Sequence, residues 1–246
     1  MAESMALLKP ADIQALRARF ARDLMHPVTI TLFTSSAGGL TVPGVDCRYC
    51  GTTQQLLEEV AALDPRLTLV IRSIVTERGA ARAADVERIP AILIGRNGDA
   101  RIRYYGIPAG FEFSVLVDGL VAASRTDGDL SPQTRQALRA LTKDVHLQVF
   151  VTPTCPYCPR AAHLAYAMAA ASPRVRADVV EANEFSALAE RYEVYGVPKI
   201  VINDVVSFEG AVPEPAFLSY VLQAVGPDPD GGYAEHSSRQ GVESRA

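Results

Sequence analysis

The sequence has no run of basic residues, no apolar stretch of membrane-spanning length, and no cysteine outside two short pairs. With a formal net charge of −4, the first absence removes the electrostatic footprint a nucleic-acid binder needs, so nucleic acid is not an expected partner. The second leaves nothing to cross a bilayer, and no membrane partner is expected either. The opening MAESMALLKPAD has Glu3 where a secretory leader carries positive charge, and Pro10 where its apolar stretch would continue. These features predict a soluble, cytoplasmic protein. The four histidines, His26, His146, His163 and His236, share no ligand-like spacing and read as surface residues; His163, two turns beyond Cys155, is at most a tuning group. No phosphate-loop pattern follows Gly38-Gly39, which reads as a bend in a loop.

The 246 residues, 48% hydrophobic and 21% charged, suit a globular chain with room for two domains. All four cysteines fall into CxxC pairs, Cys47-Arg-Tyr-Cys50 and Cys155-Pro-Tyr-Cys158, and none is left for a structural bridge. In a reducing compartment such pairs are more often catalytic or metal-binding than structural.

The pairs belong to an internal repeat. Cys47 precedes Pro90 by 43 positions, and Cys155 precedes Pro198 by the same 43. Laid over each other without a gap, 47–95 and 155–203 match Tyr49 with Tyr157, Leu56 with Leu164, Pro65 with Pro173, Arg66 with Arg174, Val86 with Val194 and Ile92 with Ile200.

Each copy reads as the same succession of elements. An amphipathic helix (10–25, then 132–143, the latter with Ser131 as cap and Pro132 in its first turn) precedes a β-rich run, 28–34 or 146–152. The cysteine pair follows, opening a helix that continues to about 63 or 171. Strands 67–75 and 175–181, a short helix, and post-proline strands 91–94 and 199–202 come next. Asn203-Asp204 then turns into a partner strand at 205–208, and closing helices span 109–124 and 214–225. This order is that of thioredoxin, occurring twice. The predicted fold class is α/β: two tandem thioredoxin-fold units, each a central mixed β-sheet flanked by helices. The first unit covers 1–125 and the second 126–226, joined by the polar stretch 125–130; the tail 227–246 is expected to be disordered.

A cysteine pair at a strand-to-helix turn points to redox chemistry, because the attacking species in disulfide exchange is the thiolate and a helix start favours an anion. Cys47 and Cys155 are therefore the expected nucleophiles. Cys50 and Cys158, one turn on, are the expected resolving cysteines. Pro156 is placed in the first helical turn, and Arg48 at the matching position adds a cation near Cys47. The spacing of Ile89-Pro90 and Val197-Pro198 suits cis prolines facing the pairs, with the preceding residue's backbone free to hold an extended substrate. Tyr49 and Tyr157 are rim residues, with substrate contact as the functional alternative to packing.

VFVTPTCPYCP (149–159), YGVPKIVIN (195–203), FEGAVPE (208–214) and RYYGIPAGFEF (103–113) carry a specific resemblance. The chain resembles, over about residues 8–225, the two-unit protein disulfide oxidoreductases of archaea and bacteria, glutaredoxin-like relatives of protein disulfide isomerase. The resemblance implies a cytosolic enzyme that reduces, forms or isomerises protein disulfides. It implies no bound cofactor, and electrons drawn from an NADPH-dependent thioredoxin reductase, a flavoprotein. Its two active sites would be Cys155/Cys158 and Cys47/Cys50, with Pro198, Val197, Pro90 and Ile89 on the substrate side.

Two departures stand out. Residues 34–46 lengthen the approach to the first pair by nine positions, which leaves the access and poise of that site open. The thioredoxin pattern also has a buried Asp six residues before its first cysteine, where this chain has Thr41 and Val149; Glu181 is the substitute candidate for the proton acceptor.

Two other readings compete. An electron-relay module between a flavoprotein reductase and a peroxidase, with a peroxiredoxin as partner, resembles the N-terminal part of alkyl hydroperoxide reductase flavoproteins. There the first unit lacks its cysteines, so Cys47 and Cys50 count against it. A four-cysteine zinc scaffold suits thiolate chemistry, but 104 residues separate Cys50 from Cys155, and no metal site is expected.

Overall fold

A computed structural model describes residues 6–35, 47–96, 98–125 and 129–226. Eight strands and eight helices are placed among them, in two passes through one order. The first pass is α1 (Pro10–Asp23), β1 (Val28–Thr34), α2 (Cys50–Ala61), β2 (Leu67–Ser73), α3 (Arg78–Ala83), β3 (Ala91–Arg96), β4 (Asp99–Tyr105) and α4 (Glu112–Ser124). The second is α5 (Pro132–Arg139), β5 (Val145–Val151), α6 (Cys158–Ala171), β6 (Val175–Glu181), α7 (Ser186–Arg191), β7 (Lys199–Ile202), β8 (Val206–Glu209) and α8 (Glu214–Val225).

Local chemistry accounts for most of these boundaries. The Ser131 side chain accepts from the Thr134 N–H at 3.2 Å, and Pro132 takes the first turn of α5, where its missing donor costs nothing. Asn203 and Asp204, with φ of 50° and 59°, supply the two positive-φ residues that a tight hairpin turn between β7 and β8 requires. Asp85 and Glu193, one repeat apart, both have φ of 53° at the ends of the short helices α3 and α7. The α1 and α5 helices stop short of the expected 25 and 143, at Asp23 and Arg139.

In each unit the inner strand pairs parallel to one neighbour and antiparallel to the other, giving β2-β1-β3-β4 and β6-β5-β7-β8. These two mixed sheets are not separate. Strand β4 pairs in parallel with β6, Ile102 opposite Ala177 through Tyr105 opposite Val180, so one eight-stranded sheet crosses both units. Alternation along the strands sends Ile30, Leu32, Ile92, Ile94, Leu147 and Val149 to one face. Phe33, Leu93, Tyr105 and Phe150 point to the other. The first face is covered by α1, α2, α4, α5, α6 and α8 in a single core, and the second by α3 and α7.

Contacts across the junction are intimate. On α4, Gly119 is so close to α6 that an added Cβ would stand 3.1 Å from the Tyr166 ring and from Ile94 Cδ1. The Tyr166 hydroxyl donates to the Arg103 carbonyl of β4 at 2.9 Å. On the opposite face Arg176 of β6 meets Asp85 at 2.7 Å, and Asp178 lies 2.8 Å from His146 Nε2 and 4.0 Å from Arg103 Nε. His146 is therefore half-buried within a charged network rather than a free surface residue.

Val28 lies 117 positions ahead of Val145, but Cys47 lies only 108 ahead of Cys155, so nine extra residues stand between β1 and the first pair. Residues 36–46 of that segment, 126–128 of the expected linker and the tail 227–246 lie outside the described residues, and with them the expected cover over Cys47 and the expected disorder of the tail. Among the described residues no helix is long and apolar enough to cross a membrane.

Candidate active site

Each cysteine pair is a disulfide whose Cα atoms are 5.5 Å apart. The second cysteine of each pair, Cys50 or Cys158, is the first residue of its helix, and the first cysteine stands just outside the helix start. This corrects one expectation: Tyr157 is the residue before α6, so Pro156 lies ahead of the helix and Pro159 holds the first-turn place. The electrostatic consequence survives the shift. The backbone N–H of Cys158 donates to Cys155 Sγ at 3.1 Å, so a donor of the helix start is aimed at that sulfur.

The Ile89-Pro90 and Val197-Pro198 peptide bonds are both cis. Each proline carbonyl accepts from a positive-φ glycine at the end of the following hairpin, Gly106 to Pro90 at 2.9 Å and Gly210 to Pro198 at 2.8 Å. In the second unit Cys155 Sγ lies 3.6 Å from the Val197 carbonyl oxygen, which brings the loop before β7 against the sulfur. Pro90 and Pro198 are buried, while Ile89 and Val197 are half-buried.

The two pairs differ in exposure. Cys155 is 7% exposed, Cys158 fully buried and Cys50 4% exposed, whereas Cys47 is half-buried. Tyr157 stands out at 63% exposure, and Tyr49 is half-buried with the Arg48 guanidinium 5.2 Å above its ring. Arg48 is thus stacked on its neighbour. Cys47, Tyr49 and Ile89 open onto a cleft of about 600 Å³ whose opposite wall is Pro153, Glu181 and Phe185 of the second unit.

A group of acids lies where the units meet. Glu181, at the end of β6, is buried and accepts from the Asn183 side chain at 2.8 Å and the Glu184 N–H at 2.6 Å. Glu184 accepts from the Ile107 N–H at 2.6 Å, and burial pushes its carboxyl above the usual range. Gly106 is the residue that allows this approach: its φ is 104°, and a Cβ there would meet Glu184 Oε1 at 2.7 Å. Glu112, the first residue of α4, is fully buried with neither carboxylate oxygen hydrogen-bonded. Burial first, and the nearby Glu181 second, push its pKa up to about 8. Its neighbour Phe111 donates from its N–H to the Pro153 carbonyl at 3.0 Å, two residues before Cys155.

Sequence reasoning named Glu181 and missed Glu112, although FEF (111–113) is part of a motif that carries the resemblance. An acid flanked by two phenylalanines at a helix start was the available signal. Val149, in the place of the thioredoxin Asp, is buried and apolar, and Thr41 lies outside the described residues. His163, read as a surface residue, is held by Asp118 at 3.4 Å, and this contact raises its pKa. The four cysteines stay in two separate pairs, and no described group of three or more His, Cys, Asp or Glu is placed to hold a metal ion.

Two thioredoxin folds on one sheet, each with a cysteine pair at a helix start, define a thioredoxin-class oxidoreductase. A family profile described as thioredoxin domain matches residues 145–223. A protein disulfide oxidoreductase from Aeropyrum pernix superposes with a TM-score of 0.76 at 30% identity, over 87% of this chain and 91% of that one. The alkylhydroperoxide reductase AhpF of Enterococcus faecalis gives a TM-score of 0.78 at 24% identity, over 87% of this chain and 99% of that one. In sequence, the corresponding alkyl hydroperoxide reductase flavoprotein component, AhpF, of Pseudomonas putida is 27% identical over 156 residues, 63% of this chain but 28% of that protein. The chain spans well under half the length of the curated relatives it matches. It belongs to the protein disulfide oxidoreductases built from tandem thioredoxin-fold units.

Proposed function

We propose that the chain exchanges disulfides with protein substrates through Cys155/Cys158, with Cys47/Cys50 as a second redox pair. The observation that carries this reading is the Cys158 N–H aimed at Cys155 Sγ, with the Val197 carbonyl 3.6 Å from the same sulfur. In the reduced protein that donor stabilises a Cys155 thiolate, which attacks a substrate disulfide and releases one substrate thiolate. Cys158 then attacks Cys155 Sγ, freeing the second substrate thiolate and leaving the Cys155–Cys158 disulfide. Two electrons have passed to the substrate. Pro198 and Val197, and Pro90 and Ile89 in the first unit, border the sulfurs where substrate backbone would lie; Tyr157 and Tyr49 form the rim. Glu112, carrying a proton at neutral pH by virtue of its raised pKa, is the nearest candidate reservoir for the protons the thiols exchange.

Re-reduction needs an external dithiol donor, and an NADPH-dependent thioredoxin reductase-like flavoprotein in the cytoplasm fits that need. Reduction of insulin with that donor or with dithiothreitol tests the reading: catalysis well above the uncatalysed rate supports it, and none refutes it.

A second reading is an electron relay from a flavoprotein to a peroxiredoxin. It is favoured by the relatives named as alkyl hydroperoxide reductase components. Reduction potentials discriminate between directions: values near about −270 mV mark a reductant or relay, and about −180 mV or higher marks an oxidase or isomerase.

A further inference from the structure

The cleft beside the first pair does not end at the unit junction. A second groove, about 670 Å³, is lined by Thr152, Asn183, Glu190, Glu193, Tyr195 and Val197. Asn183 lines both hollows, and Pro153 of the first is bonded in sequence to Thr152 of the second. The two spaces therefore meet along the 152–154 and 181–186 loops, joining the mouth of Cys47 to the loop that touches Cys155.

Charge along this trough is one-sided. Glu181 and Glu184 face the first hollow and Glu190 and Glu193 the second, against one cation among the described lining residues, Arg48. Glu190 and Glu193 are exposed, so their charge is available to a ligand. Apolar surface accompanies it: Ile89, Ile107 and Phe185 at one end, Val194, Val197 and the 89%-exposed Tyr195 at the other.

We infer that both cysteine pairs open onto one trough that takes an extended, basic segment of a client polypeptide, selecting clients whose disulfides are flanked by lysine or arginine. This rests on the oxidoreductase reading above. An extended chain fits because the Val197 carbonyl at the sulfur and the apolar patches spaced along the trough suit a peptide with alternating side chains. A basic one fits because the trough's carboxylates outnumber its one described cation and attract positive charge during encounter.

The test uses the full chain and synthetic peptides, each with one internal disulfide, flanked by lysines or by glutamates. At low salt, kcat/KM for the lysine peptide should exceed that for the glutamate peptide about ten-fold, and the ratio should shrink toward one as salt screens the charges. Glu190→Lys combined with Glu193→Lys should cut the ratio to about three or less; being a ratio, it is insensitive to any loss of folded protein. Lengthening the lysine peptide's arm from about four to twelve residues, about 40 Å of extended chain, should raise kcat/KM several-fold in the wild type. A wild-type ratio near one, a ratio untouched by the double reversal, or no gain with length overturns the trough. Uncharged hydroxyethyl disulfide separates the two failures. If it is turned over while the peptide ratio is one, the trough is wrong and the oxidoreductase reading stands; if neither it nor any peptide is reduced, the oxidoreductase reading itself falls.

Discussion

Glu112 and Glu214 hold the same place in the repeat, each the first residue of a closing helix, and the fold uses them in opposite ways. Glu214 accepts from the Ser131 N–H at 2.9 Å, and the hydrogen bonds it receives hold its carboxyl below the usual range despite partial burial. Glu112 is sealed between the units with no hydrogen-bond partner and is pushed up to about 8.

This contrast gives a pH prediction with a definite sign. Between the ordinary carboxyl value of 4.5 and about 8, folded Glu112 keeps a proton that the unfolded chain has released. The unfolded state thus binds fewer protons, and stability falls as pH rises through that window. Glu112→Gln cannot ionise, so it should gain little at pH 4.5 but raise Tm by about 3 °C or more at pH 8. Melting curves across pH check this, and a gain that does not grow with pH would remove the buried-acid account.

Substituting Cys155→Ser should lower insulin reduction at least about ten-fold, because the sulfur that faces both the Cys158 N–H and the Val197 carbonyl is the expected nucleophile. If more than half the rate remains, the first pair carries the reaction.

With Cys158→Ser, the intermediate on Cys155 loses its resolving thiol. Mixed disulfides with client proteins should then accumulate as adducts that thiol reductants dissolve on gels. A reactive Cys155 that forms no such adducts would place resolution elsewhere, for instance at Cys47/Cys50.

The two nucleophiles should titrate differently. Variants keeping only one pair allow each thiolate to be followed by its ultraviolet absorbance. Cys155 should ionise at least about one unit below the free-thiol value of about 8.5 and below Cys47, whose neighbour Arg48 is stacked on Tyr49. Equal pKa values and equal rates toward protein disulfides would make the sites equivalent and leave the first pair without an auxiliary role.

Much of this is legible in the sequence because it is written locally. The 43-residue spacing from cysteine to proline reveals the repeat, and strands 28–34 and 175–181 and helix 214–225 begin and end where their patterns do. What escapes is written between distant residues. Strand β4 has no clear pattern, since Asp99-Ala-Arg-Ile-Arg-Tyr-Tyr105 alternates weakly, and its pairing with β6 joins residues 75 positions apart. The proton reservoir escapes for a related reason: a glutamate in sequence reads as surface, and only the closure of α4 against the second unit buries Glu112. Tyr166 likewise looks like a helix residue of its own unit until its hydroxyl is seen to reach the Arg103 carbonyl.

The parallel pairing of β4 with β6 also bears on how such a molecule arose and how it can be taken apart. Cut between the halves, each piece would bare a strand whose N–H and C=O groups have lost their partners, a template for sticking to any other exposed edge. A duplicated gene that began as two independent copies has, by sharing that seam, given up the freedom to shed either one. Neither half can swing relative to the other without breaking the ladder, so the geometry between the two sulfur centres is inherited as a fixed dimension of the protein.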